Sequence, residues 1–315
     1  MTTAAAAQEV TMRISVPSVS TGFVCTDIFT MWAAEIEAES DGRIDVEVLC
    51  DSTLSRPGDT VTRVAAGVAD AGFDLPNVYG ARFAHYGVVG IPGLGEDASD
   101  TAAALWSLQE DGTFPAIPGV KMAMFQVQNT VMVWTREPLA TATDLAGQRI
   151  IAGSALRGMT ISGMGGVPLS LRVPEYYQAL ARGAAEGVMT NAGAFLTYSY
   201  HEMVPNGYVA PWGAGVSIVF LNEAWYDSLP DDLKAVIDNN TGAETSRWAS
   251  DLFQKYEEEE LQTLQTAGSI TLTELSEADL TTLEPAFAAV RNHWVATTEN
   301  GAAYLSAFEA AYAAQ

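Results

Sequence analysis

The segment TDIFTMWAAEIEAESDGRIDVEVLC, residues 26–50, changes period in its middle. From Thr26 to Ser40 the apolar residues recur at three- and four-residue spacing, which predicts a helix with one buried face. Thr26 or Asp27 would cap its start, and Gly42 stands just past its end. Beyond Gly42, Ile44, Val46 and Val48 alternate with Asp and Glu, the two-residue period of a strand. Working outward, MRISVPSV (12–19) reads as an earlier strand. Residues 57–68 read as a helix with Pro57 at its first position and Gly67 at its end, and ADAGFDL (69–75) as a third short strand. Strand, helix, strand, helix, strand predicts a parallel sheet with right-handed crossovers, hence an α/β fold.

The same alternation continues. A helix is expected at 101–112, one or two strands at 120–135, strand RIIA at 149–152, a helix at 155–165, and a short strand around PLSL (168–171). A helix at 174–183, strand GVMT (187–190), a strand-like run at 208–221, and long amphipathic helices at 223–266 and 277–313 complete the chain. No long linker interrupts it. Strands therefore cross between two lobes that hinge around a cleft. The expected division is 11–125 for the first lobe with the C-terminal helices packing back on it, 126–222 for the second, and 223–315 for a long spanning helix and the C-terminal helices.

Acidic residues number 39 against 15 Lys plus Arg, a formal charge of −24 over 315 residues, which argues against nucleic acid or an anionic membrane surface as partner. No apolar run approaches the ~20 residues of a membrane span. The opening MTTAAAAQEV reads as a mature exported chain restarted with Met. Cys25 and Cys50 allow one disulfide, which an exported location would permit, or two separate buried thiols. His85, His201 and His293 stand in no metal-ligand spacing, so no metal or cofactor is expected. The run EEEE (257–260) reads as a solvated helix face.

Open α/β sheets bind ligands beyond the carboxyl ends of their strands. Asp74 ends the third strand and precedes a turn carrying Asn77 and Tyr79. Asn191 follows strand GVMT, and Trp212 lies among small residues in APWGAG. These features predict a binding cleft without catalytic machinery.

Several segments together resemble the substrate-binding proteins of tripartite ATP-independent periplasmic (TRAP) transporters. They are DLAGQRI (144–150), GGVPLS (165–170), EYYQALARGAAEG (175–187), GVADAGF (67–73), IPGL (91–94) and NEAWYDSLPDDLKAVI (222–237). The resemblance covers nearly the whole chain, from about residue 11 to 310, in order. The resemblance implies a two-lobed periplasmic solute-binding fold, each lobe a mostly parallel sheet flanked by helices, joined by crossing strands and a long helix. It implies capture of a small polar solute in the cleft and delivery to TRAP membrane subunits, with no enzymatic activity.

The chain departs from the family's pattern at Ile151, where many members carry an arginine that holds the ligand carboxylate bidentately. The strand NTVMVWT (129–135) likewise lacks an arginine. The ligand set is expected to include Ser18, Phe73, Asp74, Asn77 and Tyr79 from the first lobe. Gln128, Ile151, Ser154 and Arg157 would join it, with Leu171, Arg172, Asn191, Phe195 and Trp212. The expected solute is cationic or neutral, a small amino alcohol such as ethanolamine, with Asp74 pairing an ammonium group and Phe73, Tyr79, Phe195 or Trp212 as aromatic walls. One alternative is a carboxylate bound through Arg157 or Arg172. Another is a neutral or aromatic compound held by apolar contacts, and a third an enzyme, such as a lyase using Asp74 and Tyr176.

Overall fold

In the computed structural model, residues 8–128, 131–141 and 143–315 are described. The Ala-rich opening as far as residue 7, and Asn129 and Thr130 of the NTVMVWT strand, lie outside them. The chain begins with β1 (Val10–Ser15) and a π-helical turn (Val24–Phe29) that runs on into α1 (Thr30–Glu39). There follow β2 (Ile44–Leu49), α2 (Thr60–Ala65), β3 (Ala71–Asp74), a series of 3-10 turns (Pro76–Gly90), α3 (Ala98–Glu110) and β4 (Val120–Gln128). Next come β5 (Val131–Thr135), β6 (Arg149–Ala152), α4 (Ala155–Gly163), β7 (Val167–Leu169), α5 (Val173–Ala181), β8 (Gly187–Asn191) and α6 (Ala192–Thr197). The last part holds β9 (Asn206–Val209), β10 (Gly215–Asn222), α7 (Glu223–Ser228), α8 (Asp231–Asn239), α9 (Ala243–Thr266), β11 (Thr271–Glu274), α10 (Glu277–Thr297) and α11 (Gly301–Ala313).

Three helix starts differ from the expectation, the helix expected at 101–112 beginning at Ala98. The first helix begins before the proposed cap, because Thr26 Oγ1 donates to the carbonyl of Gly22 instead of accepting a backbone N–H. The second begins at Thr60 with Asp59 before it, leaving Pro57 outside.

Pairing gathers the strands into two sheets, in the orders β2-β1-β3-β10-β4 and β11-β9-β5-β8-β6-β7. β1 runs parallel to β2 and β3, as the sequence pattern requires, whereas β10 is antiparallel to β3 and β4. Residues 208–221, read as one run in the second lobe, are two strands in different sheets. The chain breaks at APWGAG, where Gly213 adopts φ +82° and a Cβ on it would stand 2.7 Å from the backbone of Gly90. Only glycine fits that crossing.

Both sheets are covered on both faces. In β10, Ile218 and Phe220 enter one core cluster and Val219 and Leu221 another. In the second sheet Ile150 and Ile151 likewise point into opposite clusters. A strand buried on both sides reads as a continuous apolar run, which is why RIIA carries two isoleucines.

α9 reaches both lobes, packing on β4 and α3 and meeting α6. It also covers the edge of the first sheet. Ser246 Oγ and Ser250 Oγ accept from the N–H groups of Phe125 and Val127 on β4, both at 3.0 Å. Four helical residues rise about 6 Å and two strand residues about 6.6 Å, so the two serines match alternate donors of an edge strand. Cys25 and Cys50 form a disulfide that ties the π-helical turn to the end of β2.

His85 is buried among Phe83, Tyr86, Phe114 and Tyr304, and its Nε2 has no partner among the described residues. Burial pulls its pKa down to about 4. Between that value and the ordinary 6.5 the unfolded chain binds a proton that the folded chain refuses, so stability falls as pH falls through this window. From pH 6.5 to 5 the loss amounts to about 2 kcal/mol. Denaturant midpoints of wild type and His85→Phe, measured across that range, should diverge as the variant loses this slope; parallel curves would show that His85 takes up its proton in the folded state.

Candidate functional site

The carboxyl ends of β3, β4 and β8, the start of β10 and the first turn of α4 surround a cavity of about 330 Å3. The Pro76–Gly90 turns and the end of α10 form the rest of its wall. The polar residues facing it include Asn77, Gln128, Ser154, Arg157 and Asn191, and the apolar ones include Phe83, Tyr86, Leu156, Val216 and Trp294. It is therefore an amphipathic site, in which Arg157 stands with neutral polar side chains, and Phe83, Tyr86 and Trp294 supply aromatic surface.

Arg157 is placed by local rules. Ser154 caps α4, its Oγ accepting from Arg157 N at 3.3 Å, and this starts the helix so that residue 157 falls one turn into the cleft. Arg157 is half-buried, and among the described residues no carboxylate forms an ion pair with its guanidinium. Burial holds its pKa below the ordinary value, and Tyr176 alone acts in the opposite direction. A half-buried cation that pairs with no carboxylate among the described residues is suited to receive one from a ligand.

The other polar groups are held by the scaffold. Gln128 Nε2 donates to Ser217 Oγ at 2.9 Å and to the carbonyl of Gln126 at 3.3 Å. Asn191 Nδ2 donates to Glu257 Oε1 at 3.3 Å. Asn77 Nδ2 reaches across from the first lobe to the carbonyl of Gly153 at 3.1 Å, and Leu156 packs against the first lobe's core. Asn77 and Leu156 thus each join the two sides of the cleft.

The structure brings together Asn77, Gln128, Ser154, Arg157 and Asn191 of the expected set and removes the others. Asp74 is 1% exposed, and its carboxylate accepts from Gly58 N (2.9 Å), Leu75 N (2.8 Å) and Tyr79 Oη (2.5 Å). Burial pushes its pKa up, and these hydrogen bonds counter the push. With its oxygens committed and its surface covered, Asp74 does not face an ammonium group, and the ethanolamine reading loses its anchor. The lyase pair is also broken, because Asp74 does not line the cavity. Tyr79 is held by Asp74 and by Val61 N.

The expected aromatic walls are core. Phe73 meets Phe29 edge-on, Phe195 stacks on Trp134 with centroids 3.6 Å apart, and Trp212 is buried with Nε1 donating to the carbonyl of Tyr208. Ile151 is fully buried with Tyr176 and Leu180, and Leu171 packs against the same cluster. Arg172 has 86% of its side chain exposed and pairs with Glu175 at the start of α5. Ser18 lies off the cavity, where its carbonyl accepts from Asp51 N.

The EEEE run also needs correction. Glu257, its first residue, is fully buried and accepts from Gly193 N and from Asn191. The signal that could have found it is helical phase, since Phe253 and Leu261, four residues to either side, are core. Sequence reading missed Tyr86, Phe83 and Trp294 as cavity walls, because their spacing is that of ordinary core residues.

A family model described as bacterial extracellular solute-binding protein, family 7 (DctP), matches residues 18–297. A solute-binding protein of Sulfitobacter sp. (strain NAS-14.1) is 23% identical over 251 residues, 78% of this chain and 75% of that protein. Among solved structures, a TRAP solute-binding protein from Rhodoferax ferrireducens T118 in complex with copurified benzoate aligns with a TM-score of 0.88 at 21% identity. The alignment covers 96% of this chain and 97% of that one. A TRAP solute-binding protein from a marine metagenome, specific for aromatic acid ligands and co-crystallised with 3-hydroxybenzoate, aligns with a TM-score of 0.89 at 21% identity, covering 98% and 99%. At such identities the structural likeness shows the fold.

Proposed function

The chain belongs to family 7 of the bacterial extracellular solute-binding proteins, and from that premise we propose that its cleft captures a small organic acid with an apolar body. The observation that carries this reading is Arg157, a half-buried arginine facing the cavity that pairs with no carboxylate among the described residues. The ligand carboxylate pairs with Arg157, and the remainder lies against Phe83, Tyr86, Leu156 and Trp294. Benzoate and 3-hydroxybenzoate in the two similar structures support an acid of this size. Asn77 and Leu156 hold the lobes together over it.

On the same reading the protein works in the periplasm, binds without turnover, and hands its solute to TRAP membrane subunits. Among the described residues no helix is long and apolar enough to cross a membrane.

A thermal-shift panel tests the proposal. Aromatic and short aliphatic carboxylates should raise Tm by the amount that RT ln(1 + [L]/Kd) sets, about 2.7 kcal/mol of stabilisation at one hundred times Kd. Amines and polyols should leave it unchanged. A panel in which only amines shift the melting curve would refute the carboxylate reading.

A further inference from the structure

We propose that Gln128 makes the site selective for carboxylates that carry a hydrogen-bond donor, a hydroxyl or an N–H, on the carbon next to the carboxylate. The inference rests on the carboxylate reading and goes beyond it by naming the neighbouring group. It follows from which way the Gln128 amide must face.

Gln128 closes β4 and is 8% exposed. Its side-chain nitrogen lies 3.3 Å from the carbonyl oxygen of Gln126 and 2.9 Å from Ser217 Oγ. A hydroxyl could serve either end of an amide, but a backbone carbonyl only accepts. The nitrogen must therefore face Gln126, which fixes Oε1 on the other side. There Oε1 stands 2.8 Å from the point a Cβ would occupy on Gly215, the residue paired with Gln128 across the sheet. The same point is 3.5 Å from Arg157 Nη2.

Because residue 215 is glycine, nothing fills the space that the acceptor and the guanidinium share. No donor among the described residues reaches Oε1. A carboxylate seated on Arg157 brings its neighbouring carbon to this space. A hydroxyl or N–H on that carbon satisfies Oε1, whereas a methylene buries it unpaired, and an unpaired buried acceptor is the costly case.

Calorimetric titration of the full chain with matched pairs tests this. The probes are each enantiomer of lactate against propionate, and each enantiomer of phenyllactate against 3-phenylpropionate. In at least one pair, one enantiomer of the hydroxy acid should bind about 10-fold more tightly than its deoxy partner. Gln128→Met should bring that ratio to near unity by weakening the hydroxy acid alone. Ser217→Ala removes one of the two groups that orient the amide and should shrink the ratio as well, which decides the matter should Gln128→Met fail to fold. Equal affinities within every pair in the wild type, or a ratio that survives both substitutions, would overturn the proposal. If neither member of any pair binds, the carboxylate reading itself fails and takes this one with it.

Discussion

Replacing Arg157 with methionine should weaken carboxylate binding by about 2–5 kcal/mol, a factor of roughly 30 to several thousand in Kd. The size follows from the setting. The arginine is half-buried, no carboxylate among the described residues pairs with it, and the ligand's carboxylate would be its counter-ion. A charge-assisted, two-pronged contact in such a place is far stronger than a surface pair. The free protein should respond in the opposite sense. Methionine fills similar volume without a charge to bury, so the unliganded variant should melt no lower than wild type, and a higher melting point is the expected direction. Titration and melting of the same samples separate the two effects. Carboxylate affinity unchanged by Arg157→Met would move the anion site elsewhere.

Asp74→Ala should show the reverse pattern, a loss of about 3–5 kcal/mol in stability with ligand affinity preserved in the folded fraction. Alanine leaves the N–H groups of Gly58 and Leu75 and the hydroxyl of Tyr79 without their acceptor, in a place that water does not reach. Each stranded donor costs about 1–3 kcal/mol, and local relaxation recovers part of the sum. Urea unfolding gives the stability, and titration at low denaturant gives the affinity. If Asp74→Ala abolished amine binding at unchanged stability, Asp74 would be a ligand group after all.

The two residues show how far the sequence could be read. Asp74 and Arg157 both stand near strand ends, and one-dimensional position makes both plausible ligand groups. What separates them is the packing of distant segments. The loop at Gly58 and the ring of Tyr79 close over Asp74, while β10 presents a glycine in front of Arg157. Neither neighbour is predictable from the residue's own segment. Ile151 misled in a different sense. The missing arginine there pointed to a cationic or neutral solute, whereas the structure puts Ile151 in the core and an arginine, Arg157, on the next helix.

By itself the sequence determined the α/β alternation, the parallel pairing of β1, β2 and β3, the positions of most helices and the two-lobed fold. Those depend on periodicity, caps and breakers, which act over a few residues and are written locally. Tertiary structure alone decided that residues 208–221 divide between two sheets, that Glu257 in an acidic run is buried, and which polar side chains face the cleft. These outcomes depend on contacts between segments far apart in the chain. There, burial and the need to pair every buried donor and acceptor outweigh what any single segment prefers.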